Sequence, residues 1–351
     1  MVVITIIGML LALLLPAIQS PRMLSRQTTC ANNMRNIAQA MFAYDTARGR
    51  LPGYSQRVPR GNAKAVGIDR TSDPPRWLLI TVDPEKALPI SWATMLLPQL
   101  ERQDIWDQIV DPELEPEIRQ IELLVCPSDS DAFATPDTPA LSYSVNAGAP
   151  DWDGRFLIGP KAGDTTANGM FLNLYEFVWN GVKAPTSRLG AIRDGGATTI
   201  MLSENFHKSY EPASVGLPSR FSWAFGTEQH LGLVWVVNDD PQPGNTYVDQ
   251  ERISRASDDV YDNDPVFDPN SPRFARPAST HPGGVNVAFC DAHIEFLRDD
   301  IDYTVYQQLL TANGRKCVDP RDHDAGVKPP DPSHPIQKFR TAPPLAADDY
   351  Q

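Results

Sequence analysis

The residues of this sequence best suited to chemistry are histidines that lie near carboxylates. His281, Asp291 and His293 lie close together in the chain, and Glu204 precedes His207 by three positions. Imidazole and carboxylate groups are zinc ligands, so both sets are candidate metal sites. However, Asp291 is predicted to lie in the turn of a β-hairpin, with His281 ten residues upstream on the same strand. No Gly-x-Ser-x-Gly, HExxH, P-loop or dinucleotide-binding fingerprint is present. We therefore expect no catalytic residues, no cofactor and no enzymatic activity.

A second candidate site is an acidic, proline-containing segment in the later part of the chain. Carboxylates at closely spaced loop positions suit Ca²⁺, which takes six to eight oxygen ligands. The calcium candidates are Asp258, Asp259, Asp262 and Asp264. The alternative, which we favour, is a solvated acidic loop that holds no ion.

Composition excludes some functions and leaves the cysteines open. The net charge of −13 argues against nucleic-acid binding, because neutralising phosphates needs a basic surface. The four cysteines are spaced too widely for a zinc knuckle or a CxxC motif. They are compatible with two disulfides in an oxidising compartment, or with buried free thiols in a cytosolic protein.

The N-terminus predicts one long helix with two different halves. Residues 1–21 carry no charged side chain. About 20 apolar residues span roughly 30 Å, the thickness of a bilayer core, so residues 1–20 predict a transmembrane helix. A cleaved secretory signal fits less well, since no basic region precedes the apolar run. A buried core helix is the remaining alternative.

Residues 21–48 predict a continuation of this helix that is amphipathic. Apolar residues recur there at steps of three, four and seven, which places them on one stripe of an α-helix. The stripe consists of Met23, Cys30, Met34, Ile37, Met41 and Tyr44. Gly49 and Pro52 should end the helix.

The remainder of the chain predicts a β-rich head at residues 49–318 and a disordered proline-rich tail at residues 319–351. Residues 91–110 should form one or two short helices, broken near Pro98. Later in the head, short apolar runs separated by turn signals predict strands. These runs are IELLVCPSD, LSYSVNAG, GMFLNLYEFVW, TTIMLSEN and LGLVWVV.

The segment HPGGVNVAFCDAHIEFL predicts a β-hairpin with a two-residue turn at Asp291-Ala292. This register pairs Phe289 with Ile294, and Val287 with Phe296, on one buried face of the sheet. Ala292 would then have a positive φ, at a cost of about 1 kcal/mol.

Seven segments in a fixed order resemble a large family of bacterial prepilin-like proteins of unknown function that end in a His-(nine residues)-Asp-Gly motif. They are VVITIIGMLLALLLPAIQ, CANNMRNIAQAMFAYDTARGRLPG, SWATMLLPQLERQDIW, LLVCPSD, SYSVNAG, LGAIRDGGATTIMLSEN and HPGGVNVAFCDAHIEFL. The motif residues here are His281, Gly283, Gly284 and Asp291, with Ala292 in place of the final glycine.

The resemblance implies an α+β pilin-like fold, in which the long N-terminal helix packs on an antiparallel β-sheet head. It implies a structural subunit of a pilus-like or type II secretion-type assembly (a pseudopilin), which contacts other subunits through residues 1–20. The alternative function is a membrane-tethered extracytoplasmic binding module that does not polymerise. Either protein would cross the bacterial inner membrane once, with its head in the periplasm or at the cell surface.

The sequence departs from this family at its start. Family members carry a basic leader and a Phe-Thr-Leu-Val-Glu-like peptidase and methylation signature, whereas Met1 here already lies in the apolar run. The basic residues after the run would, by the positive-inside rule, leave the head cytoplasmic. An upstream leader, cut by a prepilin peptidase, would remove both conflicts, and we expect one to be encoded.

The helix stripe also predicts a disulfide. Cys30 lies on the core-facing stripe, and Cys126 ends the apolar run IELLV, so both should point inward. A Cys30–Cys126 bridge would close a loop of nearly one hundred residues, which the chain-entropy model values at about 4–5 kcal/mol. Cys290 and Cys317 would remain as a second pair.

Overall fold

The computed structural model describes most of the chain, in several stretches. These are residues 2–57, 64–69, 76–81, 89–111, 113–114, 117–129, 139–149, 164–175, 183–206, 222–224, 231–235, 254–255, 275–319, 332 and 336–350. Side chains are described for these residues except in 2–21, 64–69, 76–81 and 254–255.

Helix α1, Val2–Arg48, is one continuous helix of 47 residues, or roughly 70 Å. It ends as predicted at Gly49, which has φ +68° and whose N–H donates to the Asp45 carbonyl at 2.8 Å. The predicted stripe is buried from Cys30 to Tyr44, but Met23 is 47% exposed. Over residues 22–48, the part of α1 that is described with its side chains, contact with the head therefore begins at about residue 30. Among the residues described with their side chains, no helix is long and apolar enough to cross a membrane.

The segment after residue 90 contains the short helices that the sequence predicts. Helix α2, Trp92–Met95, begins at Ser91, whose hydroxyl accepts a hydrogen bond from the Thr94 N–H at 3.2 Å. A 3₁₀ turn at Leu97–Leu100 contains Pro98, which cannot continue an α-helix, and α3 follows at Gln103–Val110. Two later helices are α4, Tyr303–Leu310, and α5, Ile336–Arg340.

The head is built on a five-stranded sheet. Its strands are β5 Tyr143–Gly148, β6 Ile200–Glu204, β7 Gly232–Val234, β10 Gly284–Phe289 and β11 Ile294–Arg298. Their order across the sheet is β11-β10-β6-β5-β7. All neighbours are antiparallel except β5 and β7, which are parallel, so the sheet is mixed and not purely antiparallel as predicted.

The described residues also form three two-stranded sheets. The pairs are β1 Ser55–Gln56 with β4 Ile90–Ser91, β2 Lys64–Asp69 with β3 Arg76–Thr81, and β8 Ser254–Arg255 with β9 Ala278–Ser279. Two of the predicted strands differ. The run at Ile121 contains a 3₁₀ turn at Glu122–Leu124, and in the described part of the run at Gly169 only an isolated bridge at Asn173 forms. Short apolar runs do not distinguish a strand from a buried loop.

The β10–β11 hairpin differs from the prediction by one residue in register. Val287 pairs with Glu295, not with Phe296. The predicted two-residue turn would need positive φ at both central residues. In the structure only Ala292 adopts one (φ +70°), and Phe289 N–H donates to His293 O at 3.0 Å, which closes a three-residue loop. One left-handed residue is less costly than two, so the longer loop forms.

The corrected register divides the apolar residues between two faces of the sheet. We call the side against α1 the helix-side core; it includes Met34, Ile37, Met41, Tyr143, Val145, Leu202, Ala288 and, at its edge, Ile294. The opposite side is the tail-side core; it includes Val285, Val287, Phe289, Leu297, Tyr306, Leu309, Ile336 and Phe339. The sheet is thus covered on both faces by helices.

The prediction of a disordered tail does not hold for residues 336–350. Ile336, Phe339 and Tyr350 are buried in the tail-side core, and Arg340 Nε donates to the Cys317 carbonyl at 2.7 Å. Few apolar residues lie in the tail, but these three are spaced to reach one apolar face of the sheet, and that burial orders the segment.

Replacing Phe339 by alanine should lower the free energy of unfolding by about 3 kcal/mol, because its ring fills the tail-side core beside Trp235 with centroids 6.4 Å apart. Denaturation of the full chain, followed by tryptophan fluorescence, measures this. Lys338→Ala, an exposed position on the same helix, is the matched control and should change stability little. Equal effects of the two substitutions would show that the tail does not support the head.

Candidate functional site

Four titratable side chains meet inside the head where α1 crosses the sheet. They are Cys30, Cys126, Glu204 and His281, which we call the buried cluster. Their sulfur, nitrogen and carboxylate oxygen atoms all lie within 4.8 Å of one another. None of the four is more than 3% exposed. Four ionisable groups are rarely buried together unless they bind one another or a ligand.

Four separate parts of the chain supply the members. Cys30 lies on the buried stripe of α1, Glu204 is the last residue of β6, and Cys126 follows the 3₁₀ turn at Glu122–Leu124. His281 lies in the connection between β9 and β10. The cluster therefore exists only in the folded chain.

The atoms converge on one carboxylate oxygen and one ring nitrogen. Glu204 Oε1 lies 2.5 Å from Cys30 Sγ and 2.9 Å from His281 Nε2. His281 Nε2 also lies 3.7 Å from Cys126 Sγ, and Tyr143 Oη lies 3.2 Å from Cys30 Sγ.

Backbone and polar groups around the cluster hold its members in place. The backbone N–H of Asn286 donates to Glu204 Oε2 at 2.8 Å. The backbone N–H of Cys126 donates to Ser142 Oγ at 3.0 Å, and that of His281 donates to Ser279 Oγ at 3.0 Å. These contacts limit how far the reactive atoms can move.

The cluster favours a positive charge between its members. Burial by itself would lower the pKa of His281, but its hydrogen bonds to Cys126 and Glu204 and their negative charge raise the pKa to about 10. Burial, helped by Glu204, raises the pKa of Cys30 well above its usual value. Burial also acts to raise the pKa of Cys126, yet its hydrogen bonds with Cys30 and His281 lower that pKa. The groups around His281 therefore favour its imidazolium form.

The arrangement differs from that of a nucleophilic Cys-His-Glu triad. A triad needs the thiol at one ring nitrogen and the carboxylate at the other. Here Cys126 and Glu204 both face Nε2 of His281. A substrate would also need a path to the thiol, whereas both thiols are fully buried. Four donor atoms within 4.8 Å of one another could instead hold a metal ion.

The structure separates the histidines that the sequence grouped together. His281 lies in the buried cluster, while His293 Nδ1 lies 2.5 Å from Asp291 Oδ1 on the exposed hairpin loop. Gly283 lies in the turn before β10, and Gly284 is the first residue of that strand. His207, the proposed partner of Glu204, lies outside the described residues, as do the calcium candidates Asp258, Asp259, Asp262 and Asp264.

Neither of the two predicted cysteine pairs forms a disulfide in the structure. Cys30 and Cys126 lie side by side as predicted, but all four cysteines are free thiols, and the expected disulfide is not formed. Cys290 packs in the helix-side core and Cys317 in the tail-side core, so the sheet lies between the members of the second proposed pair.

Sequence reasoning did not connect the two cysteines with Glu204 and His281. The nearest members in sequence, Glu204 and His281, are 77 positions apart, so no short sequence motif contains two of them. One feature of the sequence could have indicated the site. Each member lies in or beside a predicted core segment, where an ionisable residue needs a partner.

Comparison with protein families connects the chain to a known group. The family described as protein of unknown function (DUF1559) matches residues 19–304. The chain belongs to the DUF1559 family. The match includes all four members of the buried cluster, so the cluster lies in the family's shared region. No curated protein and no solved structure matches the chain.

Proposed function

We propose that this DUF1559 protein is a non-enzymatic, membrane-anchored, prepilin-like structural subunit of a pilus-like or type II secretion-type assembly. Residues 1–20 would anchor the chain in the inner membrane and contact neighbouring subunits, and the head would lie outside the membrane. The observation that carries the proposal is α1, a continuous 47-residue helix whose stripe from Cys30 to Tyr44 is buried in the head, whereas Arg22–Thr29 before it are mostly exposed.

The sequence and packing of α1 support separate roles for its two parts, an N-terminal anchor and a C-terminal part that packs on the head. Residues 1–21 have no charged side chain, which suits a lipid environment or a bundle of helices. The turns at Arg22–Thr29 lie mostly exposed, before the buried stripe begins at Cys30. An apolar helical segment of this length suits contact with lipid or with neighbouring helices.

A membrane-tethered binding module that does not polymerise is the second candidate. The large head with a sheet covered on both faces favours it, since such a body is more than a filament contact requires. The two candidates differ in whether residues 1–20 contact other copies of the chain.

Crosslinking in cells separates them. We expect single cysteines introduced at positions 6–14 of the full chain to trap subunit–subunit adducts, because a shared helix bundle brings these positions together. The native thiols are buried and should not react. Arg298→Cys, with a side chain 62% exposed on the head, is the control and should give few adducts. Folded protein that reaches the membrane but yields only monomers at every position would favour the binding module.

A further inference from the structure

We propose that the buried cluster is a zinc site, in which Cys30, Cys126, Glu204 and His281 are the four ligands of a closed, structural ion. The proposal concerns the head alone and does not depend on whether the protein polymerises.

The donor set matches the chemistry of zinc. Zn²⁺ is bound by thiolate, imidazole nitrogen and carboxylate oxygen, most often with four ligands in a tetrahedral arrangement. Two thiolates argue against Ca²⁺ and Mg²⁺, which take oxygen ligands. All four protein ligands are present, with no exposed position for water or substrate, as in structural zinc sites.

The geometry needs only small movements to accept the ion. Zinc bonds of about 2.0–2.3 Å place neighbouring tetrahedral ligands roughly 3.3–3.8 Å apart. The Cys126 Sγ to His281 Nε2 distance of 3.7 Å already fits. The distances from Glu204 Oε1 to Cys30 Sγ, 2.5 Å, and to His281 Nε2, 2.9 Å, must open by about 1 Å or less. Rotation of the Glu204 carboxylate about its Oε2 contact with Asn286 supplies such a movement.

Polar groups beyond the ligands complete the site. Metal ligands are typically oriented by hydrogen bonds from neighbouring groups. Glu204 accepts from the Asn286 backbone, and the Tyr143 hydroxyl lies within hydrogen-bond distance of Cys30. Ser142 Oγ accepts from the Cys126 N–H and donates to Asp129 Oδ2 at 2.7 Å. These hydrogen bonds hold the candidate ligands in fixed orientations, as the groups around a metal site do.

The ion would join α1 to the head. Cys30 lies on α1, and the other three ligands lie on β6 and on two connections of the sheet. Zinc binding would release the thiol protons and couple metal affinity to folding. A site of this kind fixes the long helix on the body that it carries.

A Cys30–Cys126 disulfide is the competing state of the same two sulfurs. The bridge would remove both thiolates from the ligand set, leaving Glu204 and His281 as a buried ion pair. Zinc and the disulfide are therefore mutually exclusive, and one experiment distinguishes them.

The full chain, purified in mild detergent without chelator, should contain about one zinc per chain by atomic emission spectrometry. Exchange of zinc for Co²⁺ should give visible d–d bands of tetrahedral cobalt and near-ultraviolet thiolate-to-cobalt charge transfer. Cys126→Ser should abolish both signals and reduce the zinc content to near zero. Cys290→Ser, a buried cysteine outside the site, is the control and should retain zinc and spectrum.

Two results would overturn the proposal. One is a Cys30–Cys126 peptide in non-reducing mapping of protein that was alkylated at lysis. The other is wild-type protein with free thiols that binds neither zinc nor Co²⁺. If Cys126→Ser fails to fold, the cobalt spectrum of the wild-type and Cys290→Ser proteins still decides, because the charge-transfer band itself reports thiolate ligands.

Discussion

Met34→Asp is expected to unfold the head, with a loss of about 4–5 kcal/mol or more in the free energy of unfolding. Met34 is fully buried in the helix-side core, between α1 and the sheet. The helix-side core packs apolar side chains such as Ile37, Met41 and Leu202 together, so a carboxylate there would lose its hydration on folding. Since the free energy of unfolding of natural domains is only about 5–15 kcal/mol, one buried charge removes a large part of it.

The measurement is denaturant unfolding of the full chain in mild detergent, followed by the fluorescence of the buried Trp92, Trp223 and Trp235. Arg35→Asp is the matched control, because Arg35 is the next residue of α1 and is exposed. Its effect should be within about 0.5 kcal/mol. Similar losses for the two variants would mean that the buried stripe does not hold the helix on the head.

Elements with a strong local pattern could be predicted from the sequence. The stripe from Cys30 to Tyr44 follows from helical periodicity alone, and Gly49 ends the helix because its backbone must adopt a positive φ. The prediction failed at Met23, since periodicity gives the side of a helix that is apolar but not where its partner begins. The position at which the buried stripe begins depends on how far the head extends along α1, and this is determined by the tertiary fold.

The hairpin and the tail show where local rules compete. For β10–β11, hydrophobic alternation favoured the register that pairs Val287 with Phe296, but the structure pairs Val287 with Glu295, in a loop with one left-handed residue and not two. For the tail, low apolar content predicted disorder, but Ile336 and Phe339 pack with α4 in the tail-side core. The composition of a segment describes that segment alone, and it does not show whether the rest of the protein offers an apolar surface on which the segment can pack.

The buried cluster could not be predicted, because its members are brought together by tertiary contacts between distant segments. Cys30 and Cys126 were each expected to point inward, which the structure confirms. Their environment was not foreseeable: Glu204 ends a strand that alternation identifies, but only the pairing of β6 with β10 brings Asn286 to its carboxylate. Long-range register is the step that sequence patterns leave open.

Gly284→Ala should destabilise the head by about 3 kcal/mol or more, because the sheet has no room for a side chain at that position. Gly284 pairs with Arg298 at the open end of the β10–β11 hairpin. A Cβ added at Gly284 would overlap the backbone carbonyl of Leu297 and touch the ring of Phe296. A backbone group cannot rotate away as a side chain can, so the two strands would have to separate and the tail-side core would open.

Gly283→Ala is the control that isolates this effect. Gly283 has φ +83° and open space where a Cβ would lie, so alanine there adds backbone strain of about 1 kcal/mol but no clash. Unfolding of the two variants, with the full chain and the same tryptophan signal, should therefore give a difference of about 2 kcal/mol or more. Equal losses would contradict the close approach of β10 and β11, since strain alone would then account for both glycines.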